Sequence, residues 1–234
     1  MHVPDGFLDL PTSTATGVVA AGAIGLAVWR SRTEAVDDRR APMIGIVATV
    51  IFAGQMVNFP VGAGTSGHLL GATLAALLVG PWTAVLVLSV VLIVQALLFA
   101  DGGITALGTN ITLMGVVGVA VGWLVARAVI ALLPKRRWAL LVAGGVGALL
   151  SVPAAAAVFS LLFAIGGQAP VELGAVLAAM VGWHAIIGVG EAAITVAILA
   201  AVLATRPDLV YAARFIQPAT TSPTEVVARP EVAA

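Results

Sequence analysis

The sequence predicts an all-α membrane protein with about seven transmembrane helices, the N-terminus outside and the C-terminus in the cytoplasm. The first reason is composition: 61% of the 234 residues are hydrophobic and 9% are charged, whereas soluble domains carry about 25% charged residues. The second is a series of long uncharged runs, and the third is the clustering of basic residues between them. A multi-pass protein of the inner or plasma membrane, surrounded by lipid, is therefore expected.

Uncharged runs of the length that a bilayer requires, roughly 20 residues, follow one another along most of the chain. Proline and glycine signals divide the longest runs, because proline cannot continue a helix and glycine favours turns. These signals are Asn58-Phe59-Pro60, Gly80-Pro81, Asp101-Gly102-Gly103 and the segment 166–170. The predicted helices cover residues 12–30, 42–58, 68–80, 82–100, 107–131, 138–164 and 171–205. The third is short for a full span.

The basic residues predict the orientation of these helices. They form three clusters, between Arg30 and Arg40, between Arg127 and Arg137, and between Arg206 and Arg229. Seven spans place all eleven on one side, which the positive-inside rule makes the cytoplasm. The first apolar run has no basic segment before it, so a cleavable signal peptide is not expected and Met1 should face the outside. The predicted organisation is a transmembrane domain over 1–205 and a cytoplasmic, disordered tail over 206–234.

Several classes of function are excluded by composition. The chain has no cysteine, which removes thiolate metal sites, iron–sulfur clusters and cysteine nucleophiles. Its single lysine, Lys135, follows Leu133-Pro134, so no phosphate-binding loop of the G-x-x-x-x-G-K-[ST] type is present. The formal net charge of zero gives no indication of nucleic-acid binding. We expect no enzymatic activity, and any ATP hydrolysis that drives transport must come from another chain.

The N-terminus and one loop histidine together suggest a metal site on the outer side. The Met1 amine, the His2 amide nitrogen and His2 Nδ1 can chelate one metal in fused five- and six-membered rings, and His68 can supply a fourth nitrogen. Square-planar nitrogen coordination points to Ni(II) or Cu(II), with Co(II) possible. Alternatively, His2 is an ordinary terminal residue, and His68 belongs to a helix-capping loop with Thr65 or Ser66 as the N-cap.

Other polar residues are candidates to support the metal ligands. His184 and Glu191 lie seven residues apart and so share one face of the last helix. Ionisable residues inside membrane helices are usually functional. The residues predicted to surround the metal are Asn58, Ser66, Asp101 and His184. Gln55, Gln95 and Asn110 are further candidates, and each is equally interpretable as an interhelical hydrogen-bonding residue.

Four motifs in order resemble the CbiM/NikM family: MHVPDGFL, GTSGHLLG, QALLFADGGITALGTNI and GWHAIIGVGEAAIT. These proteins are the metal-specific S components of energy-coupling-factor (ECF) type ABC transporters for cobalt and nickel. The resemblance covers residues 1 to about 205. It implies a seven-helix substrate-binding domain whose N-terminal segment inserts into the outward-facing cavity, with the metal bound by Met1, His2 and His68.

The resemblance also implies partners and a cargo. The partners are a transmembrane T component, two cytoplasmic ATPases and often a small accessory membrane subunit. The transported ligand is Ni²⁺ or Co²⁺, and no resident cofactor is expected. Cobalt-type members have segments similar to MHIMEGFLP and GSCSHPTG, whereas this chain has MHVPDGFLD and GTSGHLLG. The choice between nickel and cobalt therefore stays open.

Two rival functions use the same residues. Gly64-Thr65-Ser66-Gly67 fits the G-x-S-G pattern of rhomboid intramembrane proteases, with Ser66 as nucleophile and His184 as base. A proton-coupled secondary transporter would use Glu191 and His184, although the sequence contains no visible inverted repeat. The protease interpretation leaves MHVPDGFL unexplained. Small residues spaced by four in the first helix suggest a packing face against another helix of this chain or of the T component: Gly17, Ala21 and Gly25.

Overall fold

The computed structural model describes residues 1–33, 40–62 and 65–216. Within them the chain forms seven helices, which confirms the predicted all-α fold. We number them α1 (Leu10–Thr33), α2 (Arg40–Met56), α3 (Ala72–Val79), α4 (Pro81–Leu98), α5 (Leu107–Leu132), α6 (Arg137–Gly166) and α7 (Leu173–Thr205). A π-helical stretch, Ile111–Val117, interrupts the regular geometry of α5.

Five of these helices are long and apolar enough to cross a membrane: α1, α4, α5, α6 and α7. The apolar part of α2, Ala41–Met56, is shorter. Helix α3 has only eight residues, which corresponds to roughly 12 Å of helix, so it cannot cross a hydrocarbon core of about 30 Å alone. All of its residues except the last are buried, so α3 is a core helix surrounded by the spanning helices.

The predicted start of the third helix at residue 68 is wrong. Residues 59–67 form a short antiparallel hairpin of β1 (Phe59–Gly62) and β2 (Thr65–Gly67), and α3 begins only at Ala72. Thr65 and Ser66 therefore lie in β2 and do not cap the helix. Leu69, Leu70 and Gly71 are neither strand nor helix. His68 consequently lies between the hairpin and α3, where an irregular backbone can expose its main-chain groups to other helices.

The segment from His68 to Gly80 runs between the two ends of the bundle. The hairpin lies beside the first half of α7, since the Phe59 and Trp183 rings are 6.5 Å apart. At the other end of α3, a side chain on Gly80 would meet the Tyr211 ring, which follows α7. Gly80 has a φ of 91°, a conformation that glycine adopts without strain. Pro81 then opens α4 at a position where its missing N–H costs nothing.

The N-terminal segment meets the α4–α5 and α6–α7 connections at one end of the bundle, as the predicted topology requires. Gly103 donates to the Val3 carbonyl at 2.9 Å, and Gln168 donates to the Phe7 carbonyl at 2.9 Å. These bonds join the N-terminal segment to the α4–α5 and α6–α7 connections. Which side of the membrane this end faces remains a prediction from the positive-inside rule.

The small residues of α1 divide between two environments. A side chain on Gly108 of α5 would collide with the backbone of Gly17, so these two glycines allow α1 and α5 to approach closely. Ala21 and Gly25, in contrast, are exposed on the outer face of α1. The predicted packing role within the chain therefore holds for Gly17 and not for the other two.

The structure departs from the disordered tail predicted from residue 206. Two 3₁₀ helices, Pro207–Leu209 and Tyr211–Phe215, follow α7, and Tyr211, Ala212 and Ala213 are buried. The Arg127 guanidinium of α5 lies 3.6 Å from the Phe215 ring centroid, within the range of a cation–π interaction. Aromatic contacts of this kind give the segment a reason to fold that its proline and small residues do not suggest. Residues 217–234 lie outside the described part.

Single cysteines can test the orientation, because the chain contains none. Gln168→Cys lies in the α6–α7 connection, and Lys135→Cys lies at the other end of α6. Both native residues are exposed. We expect a membrane-impermeant maleimide to label Gln168→Cys in spheroplasts and Lys135→Cys only after permeabilisation. The reverse pattern would invert the orientation and place the N-terminal segment in the cytoplasm.

Candidate metal centre

The first three residues are buried inside the protein. The relative exposure of Met1 and Val3 is 0%, and that of His2 is 5%. The terminal amine donates to Ser66 Oγ at 3.5 Å, so the chain begins against strand β2. A polar chain terminus is normally solvated, and its burial costs free energy unless other interactions compensate. This unusual placement makes the N-terminus the starting point of the site.

Main-chain and side-chain hydrogen bonds hold the N-terminal segment in place. Asn110 accepts from the Val3 N–H at 2.7 Å and donates to the Val3 carbonyl at 3.1 Å. Asp5 Oδ1 accepts from the N–H and the hydroxyl of Thr105 at 2.8 and 2.6 Å. Two residues that follow His2, Val3 and Asp5, are thereby fixed to the first turn of α5 and to the connection before it. His2 cannot move independently of them.

The rings of His2 and His68 lie against each other, with centroids 4.5 Å apart and planes inclined by 30°. Two imidazoles in neighbouring positions around one metal, each bound at about 2.0–2.1 Å, place their centroids roughly 4–5 Å apart. His68 Nδ1 lies 2.7 Å from the Leu69 carbonyl. Since a carbonyl only accepts, this nitrogen carries the proton and Nε2 keeps a free lone pair. His68 can therefore bind a metal through Nε2.

Burial keeps the candidate ligands uncharged at neutral pH. It lowers the pKa of the Met1 amine from 8.0 to about 4. Burial, aided by the neighbouring amine, lowers the pKa of His2 to about 3. Burial and the same amine hold the pKa of His68 well below its ordinary value. Because metal ligands must be deprotonated, all three groups are ready to bind a cation.

Asp101 lies beside these neutral groups at the edge of the site. Its Oδ2 is 3.6 Å from His2 Nε2 and accepts from Asn58 Nδ2 at 3.1 Å. With His2 neutral, the contact is not an ion pair. Burial raises the pKa of the Asp101 carboxyl. If His2 binds a metal through Nδ1, its Nε2 carries the proton and faces Asp101, the arrangement in which a carboxylate orients a ligating histidine.

His184 comes within electrostatic range of both His68 and the terminal amine. Its Nδ1 donates to the Met180 carbonyl at 2.7 Å, one turn earlier in α7. The Nε2 atom of this fully buried ring has no hydrogen-bond partner within the described residues. Within the described residues, His184 and Ser66 are not hydrogen-bonded to each other. A serine–histidine dyad would need that bond.

Unpartnered buried side-chain atoms are concentrated around the N-terminal segment. Such atoms are rare in folded proteins and usually indicate an unseen ligand or water. In the described part of the chain they belong to five residues: His2, Gln55, His68, Gln95 and His184. Gln55 is bonded to Leu70 and the Gln95 carbonyl to Asp101 N–H, so these two also adjoin the site. Among these atoms, His68 Nε2 has a lone pair that is available to a cation, because its Nδ1 carries the proton.

A cavity of about 440 Å³ connects this group to the surface. Its lining includes His2, Asn58, Ser66 and Asp101, four of the residues predicted from the sequence. Nowhere in the described residues, this site included, do three His, Asp or Glu side chains form a metal-binding group. A metal at this site would therefore need main-chain nitrogens in addition to the two imidazoles.

Comparison with known proteins identifies the family. The model for the cobalt uptake substrate-specific transmembrane region, CbiM, matches residues 2–209. The chain belongs to the CbiM family. Similar relatives include a putative fused nickel transport protein NikMN of Archaeoglobus fulgidus, 38% identical over 90% of this chain and 68% of its own length. The cobalt transport protein CbiM of Sorangium cellulosum is 36% identical over 89% and 94%.

A solved structure supports the same assignment. The crystal structure of a truncated transition metal transporter has a TM-score of 0.76 and 31% identity, covering 87% of this chain and 99% of that chain. This CbiM-family protein is accordingly a multi-pass, substrate-specific membrane component for cobalt or nickel uptake. The protease alternative is not supported, because the relatives are transport proteins.

Sequence reasoning missed the residues that hold the CbiM-family site together. Asn110 was only one of several candidate polar residues, and its pairing with Val3 spans 107 positions. The Asp5–Thr105 contact spans 100 positions. The only local signal was that both partners lie in the motifs MHVPDGFL and GGITALGTN, which themselves carry the resemblance.

Replacement of Asn110 should loosen the N-terminal segment. Asn110→Ala leaves the buried Val3 N–H without an acceptor, at a cost of about 1–3 kcal/mol. We expect a lower unfolding temperature in detergent without metal. Ser160→Ala is the matched control, because Ser160 is buried and bonds only within α6, to the Ala156 carbonyl. Equal stability of the two variants would show that Asn110 does not anchor the segment.

Proposed function

We propose that this protein is the metal-capturing S component of an ECF-type ABC importer for Ni²⁺ or Co²⁺. The observation that carries the proposal is the burial of Met1, with its terminal amine, beside the stacked rings of His2 and His68. The proposed ligands are the Met1 amine, the His2 amide nitrogen, His2 Nδ1 and His68 Nε2. Together they form a square plane of four nitrogens.

Chelation follows from the connectivity of the first two residues. The amine and the following amide nitrogen close a five-membered ring on the metal, and the amide nitrogen and Nδ1 close a six-membered ring. The fourth position lies next to both the amine and Nδ1. The 4.5 Å separation of the His2 and His68 rings suits such neighbouring positions. Binding displaces the amide proton of His2, which favours metals that form strong bonds to an ionised amide, such as Ni(II).

The surrounding residues complete this proposal. Asp101 orients His2 through its Nε2–H, and Asn58 orients Asp101. Ser66 Oγ accepts a hydrogen bond from the terminal amine. The Nε2 atom of His184 places a further lone pair close to the same amine. The cavity lined by Asn58 and Asp101 admits the cation, and the carboxylate attracts it.

ATP hydrolysis on the cytoplasmic side would be carried out by partner chains. A transmembrane T component and two ATPases, with an optional small accessory subunit, would use ATP to move the captured ion inward. The ATPases would act at the end of the bundle that carries Lys135 and the arginine clusters, because the positive-inside rule puts that end in the cytoplasm.

Blocking the terminal amine should abolish metal binding. Retention of the N-formyl group, by inhibition of deformylase during expression, turns the amine into an amide and adds only a few atoms. We expect isothermal titration to show loss of Ni²⁺ and Co²⁺ binding by the formylated protein. The deformylated protein with a C-terminal tag, which leaves the amine free, is the control. Equal affinity of the two forms would refute the chelate.

Replacement of His68 should weaken metal binding far more than replacement of Ser66. His68→Ala removes a ligand and opens the fourth position to water, so the loss should exceed the roughly 10–100-fold typical of a missing supporting residue. Ser66→Ala removes only a long hydrogen bond at 3.5 Å and should largely preserve affinity. Metal titration of both variants measures the change in affinity. A membrane-peptide cleavage assay on the same variants tests the protease alternative. Unchanged affinity of His68→Ala would contradict the proposed site.

A further inference from the structure

A buried carboxylate of α7 holds the segment that carries His68. Glu191 is 2% exposed, and its two oxygens accept from the N–H groups of Leu70 and Gly71 at 2.5 and 2.9 Å. Both bonds join residues about 120 positions apart. An ionisable side chain at membrane depth is costly and normally has a function. Here both carboxylate oxygens are used on main chain that is neither strand nor helix.

A second helix holds the same segment from the opposite side. Gln55 of α2 is fully buried, and its Nε2 donates to the Leu70 carbonyl at 2.8 Å. Leu70 therefore has its N–H held by α7 and its C=O held by α2. We call these three bonds, from Glu191 to Leu70 and Gly71 and from Gln55 to Leu70, the Leu70 clamp.

The backbone path of this segment is also restricted by packing. Gly71 has a φ of +74°, and a side chain there would come within 2.7 Å of the Ile51 side chain in α2. Only glycine satisfies both conditions. The segment therefore reaches α3 by a single close-packed route, and the clamp fixes where Leu69 and Leu70 lie along it.

The position of His68 depends on this route. Its Nδ1 donates to the carbonyl of Leu69, the residue immediately before the clamped Leu70. That bond sets both the tautomer and the direction of the ring, and so the direction of the Nε2 lone pair. A shift of the Leu69 carbonyl would rotate the imidazole away from His2.

We propose that Glu191 and Gln55 are positioning residues for the metal site, which they serve by fixing the main chain that orients His68. This inference rests on the proposed function, since it assigns His68 as a ligand. It gives Glu191 a role other than proton transfer, because both of its oxygens are occupied by main-chain donors. It also means that the geometry of the site is tied to the relative placement of α2 and α7.

The test compares Glu191→Gln and Gln55→Met with Thr195→Val. Glu191→Gln keeps the size of the side chain but replaces one acceptor by a donor. Gln55→Met removes the other side of the clamp. Thr195 is buried on the same face of α7, one turn beyond Glu191, and has no part in the clamp. Three properties are measured on the full chain in detergent: amide hydrogen exchange of residues 68–71, Ni²⁺ affinity, and the visible absorption of bound Ni²⁺.

The clamp predicts a linked change in all three. In Glu191→Gln the amides of Leu70 and Gly71 should exchange faster without metal, Ni²⁺ should bind about 10–100-fold more weakly, and the absorption band should shift. Gln55→Met should change the same properties in the same direction, which keeps the test available if Glu191→Gln does not fold. Thr195→Val should leave all three as in the native protein.

Three separable results would overturn the inference: two concern the clamp alone, and the third also refutes the proposed function. Unchanged exchange in both clamp variants means that the hydrogen bonds do not hold the segment. Faster exchange with unchanged Ni²⁺ affinity and absorption means that the clamp stabilises the fold without positioning a ligand. Failure of the native protein to bind Ni²⁺ or Co²⁺ refutes the proposed function itself and the positioning role with it, while the metal-free exchange still reports on the clamp.

Discussion

The structure depends on the removal of the chain terminus from water, since Met1 and Val3 are fully buried. A protonated amine buried beside two imidazoles would need a counter-charge, and the charge of Asp101, which lies 3.6 Å from His2 Nε2, favours the protonated amine less than burial disfavours it. The protein instead lowers the pKa of the amine to about 4. The free energy for this must come from elsewhere in the fold. The bonds from Asn110, Gly103 and Gln168 to the segment provide part of it.

This arrangement explains why so many connections meet at one end. The segment before α1 contacts the hairpin, the α4–α5 connection and the α6–α7 connection, and each lies far from it in sequence. None of these connections has enough residues to form a core of its own. Packed around a buried terminus, they share one. Helix α3 extends this packing into the bundle. The main chain before α3 is hydrogen-bonded to α2 and α7, and the other end of α3 packs against Tyr211.

Apolar run length together with proline and glycine signals was sufficient to locate the seven helices, apart from the start of the third, because these are local properties of the sequence. The residues of the candidate site also followed from local signals: a histidine at position 2, and a histidine after a glycine-rich stretch. The β-hairpin was missed because two strands of three and four residues carry little pattern. The folded segment after α7 was missed because its stability comes from Arg127 and Trp123 of another helix. Glu191 was recognised as unusual, but its partners, about 120 residues away, could not be inferred from spacing.

A site built partly from main-chain atoms differs in kind from a cluster of ligating side chains. Within the described residues only the His2 and His68 rings contact each other, with His184 nearby, and two ligating side chains alone would not hold a first-row metal in a defined geometry. In the proposed site, the amine and amide nitrogens would complete the set of four ligands without another side chain. Under that proposal, selection would depend on the metal's chemistry as well as on cavity size, because only metals able to displace an amide proton could use all four nitrogens. Such a site is sensitive to the exact direction of its one separate ligand, His68. It is therefore reasonable that the main chain next to His68 is held by a buried carboxylate and a buried amide instead of being left to loop packing alone.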